Sequence, residues 1–146
     1  MAKERDKIFP ASYLILQKEN KLLFIRRFNT GYDDGKYSLI AGHVDKGENF
    51  TQAIIREAEE EAGIIVKEED LEVMHIMNRK NQWGEERVDA FFKAKKWENE
   101  PKIMESHKCD DMGWFDLKHL PENTQTFLIF MFDKVKNKQF YSEYGW

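Results

Sequence analysis

One segment, residues 42–64, most constrains what this chain can fold into. It reads GHVDKGENFTQAIIREAEEEAGI. At the roughly 100° per residue of an α-helix, four apolar side chains of this segment share one face. They are Ile54, Ile55, Ala58 and Ala62. The pattern predicts a helix that begins at Asn49 or Thr51, packs this face on a sheet, and stops at Gly63.

The same helix carries a stripe of carboxylates. Glu57, Glu60 and Glu61 stand at i, i+3 and i+4, whereas Glu59 points to the other side. Like charges at this spacing destabilise a helix by about 0.2–0.5 kcal/mol per pair. A hard divalent cation, which prefers oxygen ligands, would offset that repulsion. The stripe alone leaves two interpretations open, a metal site and a solvated acidic face.

The wider spacing of the segment favours the metal site. It fits the pattern G-x5-E-x7-R-E-U-x-E-E-x-G-U, where U is an aliphatic residue, at every fixed position: Gly42, Glu48, Arg56, Glu57, Ala58, Glu60, Glu61, Gly63 and Ile64. This pattern resembles the Nudix box, and the chain is identified as a member of the Nudix hydrolase family. The preceding strand, which ends in Arg26-Arg27 and is followed by a loop and Gly-Lys-Tyr-Ser-Leu (35–39), is similar to the family's layout.

A looser resemblance covers the chain after the box. The spacing of charged, aromatic and proline residues over 100–121 is similar to that of MutT-like nucleoside triphosphate pyrophosphohydrolases. One departure stands before the box, where many members have Pro-Gly and this chain has Ile40-Ala41. In the family a backbone carbonyl of this loop contributes to metal binding, and Ala41 can still offer one.

The rest of the chain predicts strands and one further helix. Alternating or β-rich runs predict strands at 9–17, 21–27, 37–40, 71–78, 87–94 and 112–115. The first two are predicted to form a hairpin about a turn at 18–20. Helical spacing predicts a second helix over 124–136, and the aromatic tail 141–146 is hard to place. We expect one domain over residues 1–146, of the α+β class, as a Nudix-type α/β/α sandwich around a mixed sheet.

The resemblance implies hydrolysis of a nucleoside diphosphate linked to another group, dependent on Mg²⁺ or Mn²⁺. Carried over by position, Glu57, Glu60 and Glu61 are metal ligands, together with the loop at Ala41 and Gly42. One of the glutamates also acts as a base. Glu48 and Arg56 are expected to pair and orient the cluster, although a plain surface salt bridge is the alternative for Arg56.

Four residues outside the helix are further candidates. Arg27 stands where MutT-like members use an arginine on a substrate phosphate, and a strand-end surface arginine is the alternative. Glu105 is the candidate for an additional acidic ligand or base, as opposed to an exposed loop glutamate. Leu39 and Trp83 are candidate walls of a base pocket. Trp83 is favoured for stacking because it lies in a polar loop, whereas Trp114 is interpreted as core.

Composition restricts the partners. The net charge is −4, which argues against a duplex nucleic-acid binder. No apolar run approaches the ~20 residues needed to span a bilayer, and the lone Cys109 fits a cytoplasmic location. A small nucleotide is therefore the expected partner, and the sequence leaves a homodimer open.

Three functions remain. The first is release of pyrophosphate from a nucleoside triphosphate, including oxidised or modified purine nucleotides, which the short chain favours. The second is the same chemistry on a nucleotide sugar, ADP-ribose, a dinucleoside polyphosphate or capped RNA. The third, a non-catalytic nucleotide-binding module, is disfavoured because the box keeps all its glutamates.

Overall fold

The structure is a computed structural model that describes residues 3–146, so residues 1 and 2 of the predicted domain lie outside it. Its strands are β1 (Ile8–Ile15), β2 (Gln17–Lys18), β3 (Lys21–Arg27), β4 (Tyr37–Ser38), β5 (Ile40–His43), β6 (Leu71–Lys80), β7 (Glu86–Ala94), β8 (Cys109–Asp116) and β9 (Tyr141–Tyr144). Its helices are α1 (Phe50–Ala62) and α2 (Thr126–Lys136), and a 3₁₀ turn spans Glu68–Asp70. Neither α-helix of the described part is long and apolar enough to cross a bilayer.

The strands form two sheets. The larger sheet has the order β5-β1-β7-β6-β9, and it is mixed because β1 runs parallel to β7 and β6 parallel to β9. In the smaller sheet β3 pairs with β2, β4 and β8, all antiparallel. The edge strand β5 of the larger sheet leads directly into the loop before α1.

Helix α1 forms where its sequence predicts it. The Asn49 side chain accepts a hydrogen bond from the backbone N–H of Gln52, and the Gln52 side chain accepts one from the backbone N–H of Asn49, which closes a capping box. At the other end Gly63 takes a left-handed conformation with φ 67°, which a glycine adopts without steric cost. The caps therefore fix both ends of the helix.

The two helices cover opposite faces of the larger sheet. On one face Ile54, Ala58 and Ala62 of α1 pack against residues such as Leu14 and Phe92. On the other face α2 buries its side chains with β1, β6 and β7. The buried α2 residues are Phe127, Leu128 and Met131. The arrangement confirms the predicted α+β class and the α/β/α sandwich around a mixed sheet.

Two predictions about local structure were wrong or incomplete. The predicted hairpin is confined to Gln17–Lys18 against Lys21–Leu22, because β1 itself pairs with β5 and β7 instead of β3. The tail that the sequence left unplaced forms β9 at the edge of the larger sheet. It is held there by buried His75, whose ring nitrogens bond the Gln139 carbonyl at 2.9 Å and the Ser142 hydroxyl at 2.7 Å.

Candidate active site

A cavity of about 580 Å³ brings most of the predicted site residues together. One end is acidic and is formed by α1, strand β5 and the loop before β8. The lining also contains cationic and aromatic side chains. The predicted residues that line the cavity are Arg27, Leu39, Ala41, Gly42, Glu57, Glu60, Glu61 and Glu105. Its size is within the ~300–1,000 Å³ typical of small-molecule sites.

The three helix glutamates differ in their surroundings. The side chain of Glu57 is mostly buried and that of Glu60 is half exposed, whereas an oxygen of Glu61 is fully buried. Burial raises the pKa of Glu57, although the adjacent Arg56 opposes this. Burial, and then the charge of Glu57, raise the pKa of Glu61 well above its usual range. Without a cation, burial and mutual repulsion therefore disfavour the charged forms of both carboxyl groups.

The Glu61 Oε2 atom is the clearest sign that this acidic end suits a cation. It has no hydrogen-bond partner within residues 3–146, although buried carboxylate oxygens in proteins are ordinarily paired. Burying a charged carboxylate without a hydrogen-bond or ion-pair partner destabilises the folded protein by about several kcal/mol, unless the group binds a cation or is protonated. A bound divalent ion is the kind of partner that oxygen donors of this type accept.

Arg56 organises the cluster. It makes a two-point ion pair with Glu48, with Nε 2.8 Å from Oε2 and Nη2 3.0 Å from Oε1. Its Nη1 also donates to Glu57 at 2.8 Å and to Glu60 at 3.2 Å. The hydrogen bond to Arg56 lowers the pKa of Glu48, so this carboxylate stays charged. The pairing expected from the box therefore exists and reaches two of the expected metal ligands.

Gly42 makes room for Glu57. A methyl group built on Gly42 would lie 2.1 Å from Glu57 Oε1, far inside any permitted contact. The glutamate therefore lies against the backbone of β5 at Gly42, in the segment from which the resemblance expects a carbonyl ligand for the metal. The glycine of the box is needed here for this close approach and not for a special backbone angle.

The donor set fits a hard divalent ion, although it is not gathered around one point. Within residues 3–146 no group of three His, Cys, Asp or Glu side chains is arranged as a finished metal site. Arg56 Nη1 bonds both Glu57 and Glu60, so two of the three carboxylates are engaged with the guanidinium in this structure. Buried oxygens, a close backbone and an unpaired Glu61 oxygen are the features that fit the ion.

The predicted phosphate-binding Arg27 lies on the cavity wall and is tied to its own loop. Its Nε donates to the Tyr32 carbonyl at 2.7 Å and its Nη2 to the Thr30 hydroxyl at 3.0 Å. The guanidinium also lies 5.2 Å from the centre of the Tyr32 ring. Arg27 thus shapes the loop that rims the cavity, and its role on a phosphate stays a prediction.

The remaining predicted residues differ in their placement. Glu105 faces the acidic end, 3.9 Å from Lys108, and Leu39 is fully buried in the wall. Trp83 is outside the lining and 59% exposed, with its ring 4.9 Å from that of Tyr32, which does line the cavity. Trp114 is half-buried, stacks on Trp97 with ring centres 6.2 Å apart, and packs against the core cluster that contains the buried residues of α1.

Sequence reasoning missed the cationic wall of the cavity. Arg79 of β6 and Arg87 of β7 both line it, and Arg79 forms a buried ion pair with Asp89, Nε to Oδ2 at 2.6 Å. A signal existed, because Arg79 shares the inward face of β6 with His75 and Met77, and Asp89 shares that of β7 with Phe91. Gln125, also in the lining, carried no comparable signal.

The fold and the site define the class of protein: an α/β/α sandwich in which a glutamate-bearing helix meets a cationic cavity. A family model described as the NUDIX domain matches residues 9–133. The chain belongs to the NUDIX domain family.

Solved structures agree with this fold. A MutT NUDIX hydrolase from Burkholderia pseudomallei superposes with a TM-score of 0.81 at 24% identity, over 89% of this chain and 99% of that one. A MutT protein from Methanosarcina mazei superposes with a TM-score of 0.77 at 17% identity, over 93% and 98%. At these identities the likeness shows the fold alone.

Curated relatives match parts of longer proteins. The chain is 40% identical over 57 residues to the ADP-ribose pyrophosphatase of Methanocaldococcus jannaschii, which is 39% of this chain and 33% of that protein. It is 26% identical over 115 residues to the NAD-capped RNA hydrolase NudC of Chromobacterium violaceum, which is 79% of this chain and 40% of that protein. The chain thus spans less than half the length of either relative.

Proposed function

We propose that the protein is a Mg²⁺-dependent pyrophosphohydrolase that cleaves nucleoside triphosphates to the monophosphate and pyrophosphate. Oxidised or modified purine nucleotides are included among the candidate substrates. The observation that carries the proposal is the presence of the α1 glutamates and of cationic side chains in the lining of one cavity. A polyphosphate bound beside the glutamates would have oxygen ligands for its metal and, in Arg27 and Lys108, cationic partners for its other oxygens.

The family generally uses divalent metal ions, and we infer Mg²⁺ here, with Mn²⁺ as a substitute. Glu57, Glu60 and Glu61 would hold it, with the Ala41 or Gly42 carbonyl as a further donor. When bound, the ion supplies charge neutralisation for the phosphates and lowers the pKa of attacking water. Arg56 and Glu48 would keep the ligands oriented, and pairs of this kind behind metal ligands affect activity about 10–100-fold.

Other side chains of the cavity have proposed roles on the substrate. Glu105 faces the glutamates from the opposite loop and is a candidate for taking the proton of the attacking water. Arg27 and Lys108 would neutralise phosphate oxygens that point away from the metal. Each assignment is tested by substituting the residue and measuring kcat and KM separately.

The cavity of about 580 Å³ beside the glutamates is of a size that suits a small nucleotide, including a nucleoside triphosphate. The alternative, a nucleoside diphosphate joined to a sugar or a second nucleoside, is favoured by a separate observation. The matched curated relatives are named an ADP-ribose pyrophosphatase and an NAD-capped RNA hydrolase. Both candidates require the same hydrolysis of a phosphoric anhydride.

A product analysis separates the two candidates. The purified protein with Mg²⁺ is given nucleoside triphosphates, ADP-ribose, nucleotide sugars, dinucleoside polyphosphates and NAD-capped RNA. Pyrophosphate from every active substrate supports the proposed reaction. Release of a sugar phosphate or of a second mononucleotide as the main activity overturns it in favour of the alternative.

A matched pair of variants tests catalysis itself. Glu60→Gln removes a proposed metal ligand, whereas Glu59→Gln changes an exposed neighbour outside the cavity lining. We expect Glu60→Gln to lose at least about 100-fold in kcat and Glu59→Gln to keep wild-type activity. Equal, background-level hydrolysis by all three proteins would favour a binding module over an enzyme.

We also predict that residues 1–146 form one Nudix domain and that the protein is cytoplasmic. A homodimer is an open alternative to the monomer. Light scattering coupled to size-exclusion chromatography measures the mass of the particle in solution and decides between the two.

A further inference from the structure

The wall of the cavity contains an arginine that is almost completely buried. Arg79 is 3% exposed, and its partner Asp89 is 0% exposed. Its Nε donates to Asp89 at 2.6 Å and its Nη2 to the Tyr13 hydroxyl at 3.2 Å. An ion pair buried in this way is weak evidence of added stability, because desolvation offsets much of the attraction. A role in the cavity is therefore a reasonable alternative to a structural one.

The charge at this wall is unbalanced. Arg87 Nε lies 3.4 Å from the second oxygen of Asp89, so two guanidinium groups share one carboxylate. The Phe127 ring, 3.8 Å from the Arg79 guanidinium carbon, stacks on the cation. The hydrogen bonds of Arg79 to Asp89 and Tyr13 engage Nε and Nη2, and Tyr32 is a further neighbour, whereas a guanidinium has five N–H groups. Arg79 is largely buried yet belongs to the lining, so the wall offers positive charge and a remaining N–H donor to a ligand that fills the cavity.

Gln125, in the same cavity lining, offers a hydrogen-bond acceptor where Arg79 offers donors. Gln125 is 2% exposed and precedes α2, two residues before the Phe127 that stacks on Arg79. Its Nε2 donates to Asp33 Oδ2 at 2.9 Å. Because a carboxylate only accepts hydrogen bonds, this contact fixes the amide orientation. Oε1 is left as a buried acceptor without a partner in the described part of the chain.

We propose that Arg79 and Gln125 determine base specificity, and that the preferred base carries a carbonyl oxygen beside a ring N–H. Hypoxanthine, guanine and uracil present this lactam edge. Arg79 would donate to the carbonyl oxygen, a strong acceptor for a guanidinium, and Gln125 Oε1 would accept from the ring N–H. This inference depends on one part of the proposed function, that the cavity binds a nucleotide.

Adenine is disfavoured in the same pose for two reasons. Its amino group would face the N–H donors of Arg79, and its unprotonated ring nitrogen would face the Gln125 oxygen. Asp33 prevents the amide from rotating to correct the mismatch. Leaving buried donors and acceptors unpaired is the main means by which hydrogen-bonding sites reject near-identical ligands.

Binding of nucleoside monophosphates tests this inference without reference to the leaving group. IMP and AMP differ only at the relevant edge of the base, so titration calorimetry of these two measures the preference directly. We expect IMP to bind about 10–100-fold more tightly than AMP, as one well-placed pair of base contacts allows. Because the monophosphate is common to every candidate substrate, failure of the pyrophosphohydrolase proposal would not affect the result.

Two variants identify the residues responsible. Arg79→Lys keeps a charge beside Asp89 but loses the fork, and Gln125→Met keeps the volume but loses the acceptor. Each is expected to reduce the IMP-to-AMP affinity ratio at least about fivefold. The controls Arg26→Lys and Gln17→Met, which lie outside the cavity lining, should leave the ratio unchanged.

Several outcomes overturn the inference. They are wild-type binding of AMP at least as tight as that of IMP, an unchanged ratio in both variants, and no measurable binding of either nucleotide. A purely structural role for Arg79 would lower the thermal midpoint of Arg79→Lys without changing the ratio. Calorimetry and thermal unfolding of the same samples therefore distinguish the two roles.

Discussion

Arg56 and Glu48 are joined by two hydrogen bonds, Nε to Oε2 at 2.8 Å and Nη2 to Oε1 at 3.0 Å. The third guanidinium nitrogen of Arg56 reaches Glu57 and Glu60. The pair thus links the loop before α1 to the carboxylates that are expected to hold the metal. The Arg56 hydrogen bonds therefore hold the Glu57 and Glu60 carboxylates in position.

Replacing Arg56 by lysine should impair activity far more than stability. A lysine supplies the charge without the planar fork, so Glu57 and Glu60 lose their common anchor. We expect kcat/KM to fall about 10–100-fold. Arg26→Lys is the control, since Arg26 makes a single ion-pair bond to Asp110 at the surface. A loss of similar size in both variants would contradict a positioning role for Arg56.

Neutralising Glu61 should stabilise the metal-free protein and weaken metal binding. Glu61 carries a buried oxygen without a partner, and Glu57 repels it. In the presence of EDTA we expect Glu61→Gln to gain about 0.5–2 kcal/mol in the free energy of unfolding. Added Mg²⁺ should raise the thermal midpoint of the wild type more than that of the variant. An equal rise in both proteins would exclude Glu61 as a ligand.

A methyl group at Gly42 should displace Glu57. The added carbon would meet Glu57 Oε1 at 2.1 Å, so the glutamate side chain has to move away from the β5 backbone. Misplacing a catalytic group by about 1 Å costs roughly 100-fold in rate. We expect a loss of this order for Gly42→Ala, measured as kcat, with a cooperative thermal transition retained. Gly113→Ala, which meets only the edge of the Phe115 ring at 3.3 Å, should remain active.

Protonation of His75 should loosen the packing of the C-terminal strand. Burial, with the nearby charge of Lys134, lowers the pKa of His75 below its ordinary value of 6.5. Below about pH 6.5 the unfolded chain therefore binds more protons than the folded one, and stability falls as the pH decreases toward the folded-state pKa. Above about pH 6.5 both states are neutral at this residue, and its contribution no longer changes with pH.

Urea unfolding between acid and neutral pH measures this dependence. His75→Gln should show a smaller loss of stability in acid, and His119→Gln, whose side chain is 84% exposed, should behave like the wild type. Identical pH profiles for His75→Gln and the wild type would exclude His75 as the source.

Trp83 provides a test of the rim of the cavity. Its ring is 4.9 Å from that of Tyr32, which lines the cavity, so a bound base has access to an aromatic pair at this rim. If Trp83 stacks on the base, Trp83→Ala should raise KM about 5–100-fold with little change in kcat. Trp146→Ala removes an equally exposed ring that lies outside the cavity lining. Unchanged KM in Trp83→Ala would assign the tryptophan to the loop alone.

Local sequence was sufficient for α1 and for the residues it carries. The helix, its Asn49 and Gly63 caps and the stripe from Glu57 to Glu61 depend on contacts within a few residues. Helical periodicity therefore predicts which side chains share a face. The pairing of Glu48 with Arg56 was implied by the resemblance of the same segment to the Nudix box.

Contacts between residues on different strands of the sheet could not be predicted from local sequence. The parallel pairing of β1 with β7 joins segments far apart in the chain, and it overrode the local turn signal that predicted a hairpin with β3. The presence of Arg79 and Gln125 in one cavity lining depends on that pairing and on where α2 packs. A strand pattern specifies which residues point inward, but strand order and register determine what they meet. The chain's pattern of residues thus specified its family and the helix that carries the proposed metal ligands, whereas long-range packing created the cavity and placed cationic side chains in its lining together with the helix glutamates.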